Sequence, residues 1–251
     1  MKTVQEIYEF LDTVCPYALA EPWDNAGLNV GYRSRKVQKV LVALDLTMQT
    51  VLAAKEKGCE LIITHHPLLF DAAKQINSDT AEGRRVLALA ANNIAHIACH
   101  TNLDAAAGGV NDVLAELCGL KNVENFCGMG RIGTTDTTLS ALAERLKAAL
   151  HIEHCQAVNC QEAVRRVAVV GGAGGSFLEE PFALQAGDTF ITGEAKHHQR
   201  LIAKEQGVNL LVLGHYETEY PVLAPLVERL RQAFPDITFE QMPFEHPTEI
   251  L

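Results

Sequence analysis

The sequence predicts an α/β protein made of two similar halves, each a mixed, largely parallel sheet flanked by helices. Short unbroken apolar runs, such as Val40-Leu41-Val42-Ala43-Leu44 and Leu61-Ile62-Ile63, mark strands covered on both faces. These runs alternate with stretches of helical period, the pattern of βαβ units. In both parts of the chain, polar residues able to carry chemistry follow the strand ends.

The elements follow in order. Apolar residues at Val4, Ile7, Tyr8, Leu11 and Val14 have helical spacing. Glu21 to Gly31 is turn-rich and leads into a short strand. The strand Val40–Asp45 precedes a helix over Met48–Lys57, a strand over Glu60–Thr64, a helix over Ala81–Asn92 and a strand over Ile94–Cys99. Val110–Cys118 reads as a helix closed by Gly119. The stretch from Asn122 to Thr138 is punctuated by glycine and reads as irregular, which places the division between residues 1–125 and 126–251. The second half continues with a helix over Leu139–Leu150 and strands over Arg166–Val170, Thr189–Thr192 and Asn209–Leu213. A closing helix is expected from about Thr218 to Phe234, with Pro221 confined to its first turn.

Composition narrows the function classes. The 251 residues are 48% apolar and 21% charged, with 18 Gly and 9 Pro, which excludes disorder and collagen-like repeats. The formal net charge is −10, and the densest basic run is Arg33-Ser34-Arg35-Lys36, which argues against nucleic acid as a partner. Seven cysteines without a Cys-x-x-Cys pair indicate neither a disulfide framework nor a thiolate zinc site. Acidic residues interrupt the N-terminal segment before an apolar run can form, and no stretch reaches the ~18 apolar residues of a membrane span. A cytoplasmic protein with no membrane association is expected.

Six of the ten histidines, His65, His66, His100, His197, His198 and His215, fall at or just beyond predicted strand ends. In open α/β sheets ligands bind in the crevice beyond the carboxyl ends of the strands. Thr64-His65-His66-Pro67 places two imidazoles on an extended segment, where neighbouring side chains diverge. Taken alone, such a pair is equally a core histidine beside a surface one. His100 and Asp104 add an imidazole and a carboxylate at the next strand end, and His215 and Glu219 add another pair after the last strand. The macrodipole alone also favours a carboxylate in the position of Glu219. Imidazoles and carboxylates without thiolate suit zinc, manganese or iron. Five or more such groups exceed one tetrahedral site and suggest two ions sharing a water-activating centre.

Gly171-Gly172-Ala173-Gly174-Gly175 has two readings, a phosphate cradle or a tight turn, of which the turn is the simpler. Glu194, Lys196, His197 and His198 also have two: an anion-binding, proton-transferring segment, or the solvated first turn of a helix. Their position beside the metal candidates favours the former. No nucleophile elbow or Walker A loop occurs, and no aromatic platform or base-reading amide pair is apparent.

Trp23-Asp24-Asn25-x-Gly27-Leu28, Thr64-His65-His66-Pro67, His100-Thr101-Asn102-Leu103-Asp104, Thr192-Gly193-Glu194-x-Lys196-His197-His198 and Gly214-His215-Tyr216-x-Thr218-Glu219 together resemble the NIF-three-like family, the GTP cyclohydrolase 1 type 2 homologs. The resemblance implies a two-half NIF-three-like fold with the site at the junction, a toroidal homohexamer, and two divalent metal ions per subunit. The implied ligands are His65, His66, Asp104, His215 and Glu219. His100 and His197 would move protons, and Lys196, His198 and Glu194 would bind substrate. Glu194 stands where the family commonly has Asp. The expected function is that of a metal-dependent hydrolase acting with activated water on a nucleotide or other phosphate-bearing small molecule. The alternative is a non-catalytic metal-binding hexamer with a scaffolding or regulatory role.

Overall fold

A computed structural model of the chain describes residues 1–181 and 183–244. The described residues form two compact units, Met1–Ala107 together with the segment from Leu223 onward, and Gly108–Val222. Both are mixed α/β.

The first unit begins with β1 (Lys2–Thr3) and α1 (Val4–Val14). A reciprocal cap starts the helix: Glu6 N–H donates to Thr3 Oγ1 at 3.3 Å and Thr3 N–H donates to Glu6 Oε2 at 2.9 Å. Val4, Ile7 and Leu11 form its buried stripe. Then come β2 (Gly27–Val30), β3 (Lys36–Val37), β4 (Lys39–Ala43), α2 (Met48–Lys57), β5 (Leu61–Thr64), α3 (Ala81–Ala91), β6 (Ala95–Ala98) and the one-turn α4 (Thr101–Ala105). Strands β4, β5 and β6 are parallel neighbours, with Ala43, Thr64 and Ala98 in register at their carboxyl ends. Leu61, Ile62 and Ile63 are fully buried, as their uninterrupted apolarity requires.

The second unit holds α5 (Val110–Leu117), β7 (Lys121–Phe126), β8 (Gly130–Thr138), α6 (Leu139–Leu150), β9 (Gln156–Val158), β10 (Ala163–Val170), β11 (Thr189–Thr192), α7 (His197–Gln206), β12 (Asn209–Val212) and α8 (His215–Glu219). Among the described residues its sheet runs β7-β8-β10-β11-β12-β9. The central β10, β11 and β12 are parallel, with Val170, Thr192 and Val212 in register, and the outer strands pair antiparallel. Leu142, Leu146, Val167 and Ile191 pack on one side of this sheet, and Phe190, Ala203 and Leu210 on the other.

Two sequence expectations are corrected. The stretch from Asn122 to Thr138 forms a hairpin. Cys127 and Gly128, at φ 51° and 83°, supply its turn, which Asn125 Oδ1 closes by accepting from Gly128 N–H at 2.8 Å. A Cβ on Gly133 would lie 2.8 Å from Lys121 O, so that glycine serves close strand approach. The division expected at 125/126 therefore falls inside the hairpin. The closing helix is interrupted as well. Pro221, without an N–H, sits in a 3₁₀ turn over Tyr220–Val222 that separates α8 from α9 (Leu223–Ala233).

From α9 the chain rejoins the first unit. There β13 (Thr238–Gln241) pairs parallel with β4 and completes the order β13-β4-β5-β6-β2, with β2 antiparallel to β6. No helix among the described residues is long and apolar enough to cross a membrane.

Candidate metal centre

In the first unit the strand register sets the geometry. Ala43, Thr64 and Ala98 end their strands side by side, so Asp45, His66 and His100, each two residues further on, emerge along one sheet edge. The main chain continues the ladder past the strands: His66 N–H donates to Leu44 O at 3.0 Å and Cys99 N–H to Thr64 O at 2.8 Å.

Each of the three imidazoles is held through Nδ1. His65 donates to Cys99 O at 2.8 Å, His66 to Asp45 Oδ1 at 2.8 Å, and His100 to Asp24 Oδ1 at 2.9 Å. With Nδ1 protonated against an acceptor, the lone pair of each ring is at Nε2, the arrangement of metal-ligating histidines. One donor nitrogen from each of the three rings lies within 4.8 Å of the others. Asp104, carried one turn into α4, brings Oδ1 to 3.6 Å from His65 Nε2. His65 is 1% exposed. This donor set fits a divalent cation of intermediate hardness. A hydrogen bond with Cys15, together with burial, pushes the Cys99 thiol up, and it is the carbonyl of this residue that meets His65.

Asp24 is more than an orienting partner. Burial raises its carboxyl, but hydrogen bonds from His100 and Thr101 outweigh that and bring it down to about 2. It also accepts from Thr101 N–H at 3.0 Å, which fixes the start of α4 and hence Asp104.

The second unit repeats the device. Beyond Val170, Thr192 and Val212 stand Gly172, Glu194 and Gly214, again two residues past register. Gly214, at φ 97°, turns the chain into α8, so that His215 and Glu219 share a helix face at i and i+4. His215 Nε2 lies 3.2 Å from Glu219 Oε1, and His215 Nδ1 lies 3.2 Å from Glu194 Oε1. Gly172, at φ 60°, lies directly beneath this pair: a Cβ there would collide with the Glu219 carboxylate and come within 3.2 Å of His215 Nε2. Thr218 ties the turns together, accepting from Gly172 N–H at 3.0 Å and donating to Gly214 O at 2.9 Å. The glycine segment is thus explained by close packing. A Cβ on Gly174 or Gly175 would also clash, with Thr192 or with Ala195.

A model of the Duf34/NIF3 family (NGG1p interacting factor 3) matches residues 2–248. The chain belongs to this family. A GTP cyclohydrolase 1 type 2 homolog of Clostridium perfringens is 35% identical over 240 residues, covering 91% of each chain. A GTP cyclohydrolase 1 type 2 of Helicobacter pylori is 30% identical over 257 residues, covering 100% of both. The crystal structure of a Bacillus cereus protein related to NIF3 superposes with a TM-score of 0.92 over 100% of this chain and 99% of that one, at 23% identity, a likeness of fold.

Within this NIF3 chain, the residues singled out from the sequence are distributed unevenly. His65, His66, His100 and Asp104 come together in the first unit, and His215, Glu219 and Glu194 in the second. His197 and His198 open α7 and are exposed, and His198 Nε2 lies 3.3 Å from Glu179 Oε1. Sequence reasoning missed Asp45 and the Cys99 carbonyl as orienting groups, although both follow strand ends as the histidines do. It also missed an aromatic face. Trp23, 57% exposed, and Phe70, 51% exposed, have ring centroids 5.6 Å apart, and both lie about 6 Å from the His100 ring, at 6.0 and 6.1 Å. The single Trp, beside Asp24, was the available signal.

Proposed function

We propose that this NIF3-family chain is a metal-dependent hydrolase acting on a nucleotide or another phosphate-bearing small molecule. In this reading His65, His66, Asp104, His215 and Glu219 hold two divalent cations per subunit, of zinc, iron or manganese. The observation that carries it is the common orientation of His65, His66 and His100, each donating from Nδ1 to a fixed acceptor so that Nε2 presents its lone pair. Such cations, when bound, supply an activated water and offset developing negative charge. His100, backed by the ionised Asp24, accepts or returns a proton at Nε2. Trp23 and Phe70 offer a face on which a planar base can stack, in keeping with the nucleotide named for the Helicobacter pylori relative. Lys196 takes the anionic part of the substrate, as its place in the Glu194–His198 motif suggests.

A toroidal homohexamer in the cytoplasm goes with this reading and is tested by native mass measurement. The main experiment is metal analysis of protein purified without added metal, with turnover of nucleotides and phosphoesters measured in parallel. Two equivalents of metal per chain and activity lost in His65→Ala are expected. A full complement of metal in His65→Ala and Glu219→Gln would overturn the assignment of the ligands. Metal binding without turnover above the His65→Ala background would favour a scaffold.

A further inference from the structure

The second unit contains an open cavity of about 1220 Å³ that the metal centre does not account for. The segment from His151 to Gln156 forms one wall, the start of α7 another, and the ends of β11 and β12 its floor. Lys196 and Arg200 both line it, and their spacing of four residues puts them on one face of the α7 turn. Within the unit the cations divide, and Lys121, Arg145 and Lys204 share with this pair the lack of an ion pair among the described residues. Arg131, Arg165 and Arg166 are all ion-paired, to Asp112, Asp136 and Asp188. Among the described residues neither Lys196 nor Arg200 has an ion pair. The Arg200 side chain is anchored by donation from Nε to Ala195 O at 3.0 Å, and the residue lines the cavity.

Lys196 and Arg200 form a basic edge of this cavity in a chain of net charge −10. Three carboxylates line the cavity as well. Glu194 faces His215, Glu153 sits beside His154, and Glu217 folds against Gly214. Ser176 adds a hydroxyl to the wall, and His151 and His154 stand in the segment opposite. The cavity is larger than pockets for drug-sized ligands, commonly about 300–1,000 Å³, so it has room for a phosphate chain and more.

We infer that this cavity is the phosphate subsite of the substrate: Arg200 and Lys196 together grip a diphosphate, and Glu194 marks the end nearest His215. The inference deepens the hydrolase reading and rests on it for the role of the ligand, though binding itself can be tested without metal. Arg200 is the specificity-determining member, because its planar fork matches two phosphate oxygens whereas Lys196 contributes a point charge.

The test is calorimetric titration of inorganic pyrophosphate into chelator-treated, metal-free protein, with native folding of each variant checked by thermal unfolding. Saturable binding at one site per chain is expected, weakened at least tenfold in Arg200→Ala and abolished in the Lys196→Ala/Arg200→Ala double variant. Arg165→Ala, outside the cavity, should bind as the parent does. No binding by the metal-free parent, or equal binding by the double variant, would overturn the inference. Metal content of the double variant is measured separately. Full metal there, with pyrophosphate binding lost, supports a subsite separate from the metal ligands, and loss of metal together with pyrophosphate binding would overturn that separation.

Discussion

His100 and Asp24 are joined Nδ1 to Oδ1 at 2.9 Å across 76 residues of chain, and the same carboxylate caps the helix that carries Asp104. One acidic side chain therefore sets both the tautomer of an imidazole and the position of a carboxylate donor.

Asp24→Asn keeps the shape but removes the charge. Replacing an orienting partner of this kind typically costs about 10–100-fold in metal affinity or activity. We expect a loss of that size in competitive metal titration or turnover, with the fold intact by circular dichroism. Parent-like affinity and turnover would show that the contact only caps α4.

Gly172→Ala and Gly58→Ala form a matched pair. Both glycines have positive φ, 60° and 69°, so each substitution carries a backbone cost of about 1–2 kcal/mol. A Cβ at Gly58 meets nothing within 4 Å, whereas one at Gly172 meets Glu219 and His215. Thermal unfolding should show a modest loss for both. Metal content should fall only in Gly172→Ala, and equal metal content would remove the significance of the close approach.

His96 makes the fold acid-sensitive. The Thr64 hydroxyl donates to His66 O at 2.6 Å, so towards His96 Nε2, at 2.7 Å, it accepts, and Nδ1 is the ring's bare nitrogen. That nitrogen is buried without a hydrogen-bond partner, and burial depresses the imidazole to about 3 from its usual 6.5. A depressed folded value means that the unfolded chain takes up the proton first as pH falls. The contribution is complete above about pH 6.5 and is lost progressively toward pH 3, at up to about 1.4 kcal/mol per pH unit. Denaturant midpoints of His96→Gln should therefore decline less steeply with acid than those of the parent, and parallel curves would refute the assignment.

Much of this architecture was legible because burial on both faces leaves a plain mark. Leu61-Ile62-Ile63 and Leu210-Leu211 announce central parallel strands, and the polar residues after them announce the working edge. The hairpin of β7 and β8 was not legible. Its strands are rich in Thr, Asn and Gly, and from Lys121 to Glu124 the first is exposed throughout, so no apolar alternation survives. Short β13 was equally silent, since its place depends on pairing with β4 far away in sequence. In the site, residue types marked the donors His65, His66 and His215. The orienting role of Cys99 belongs to a backbone carbonyl, which no residue type can advertise.

The return of the chain to β13 bears on the order of events during translation. On the ribosome, β4 is made early, yet its neighbour Thr238–Gln241 emerges only after the whole of the second unit. Until then one edge of β4, with Val40, Leu41 and Val42, has exposed main-chain donors and acceptors that invite stray pairing. The nascent protein must therefore shelter a half-built sheet while an entire unit is synthesised and folds.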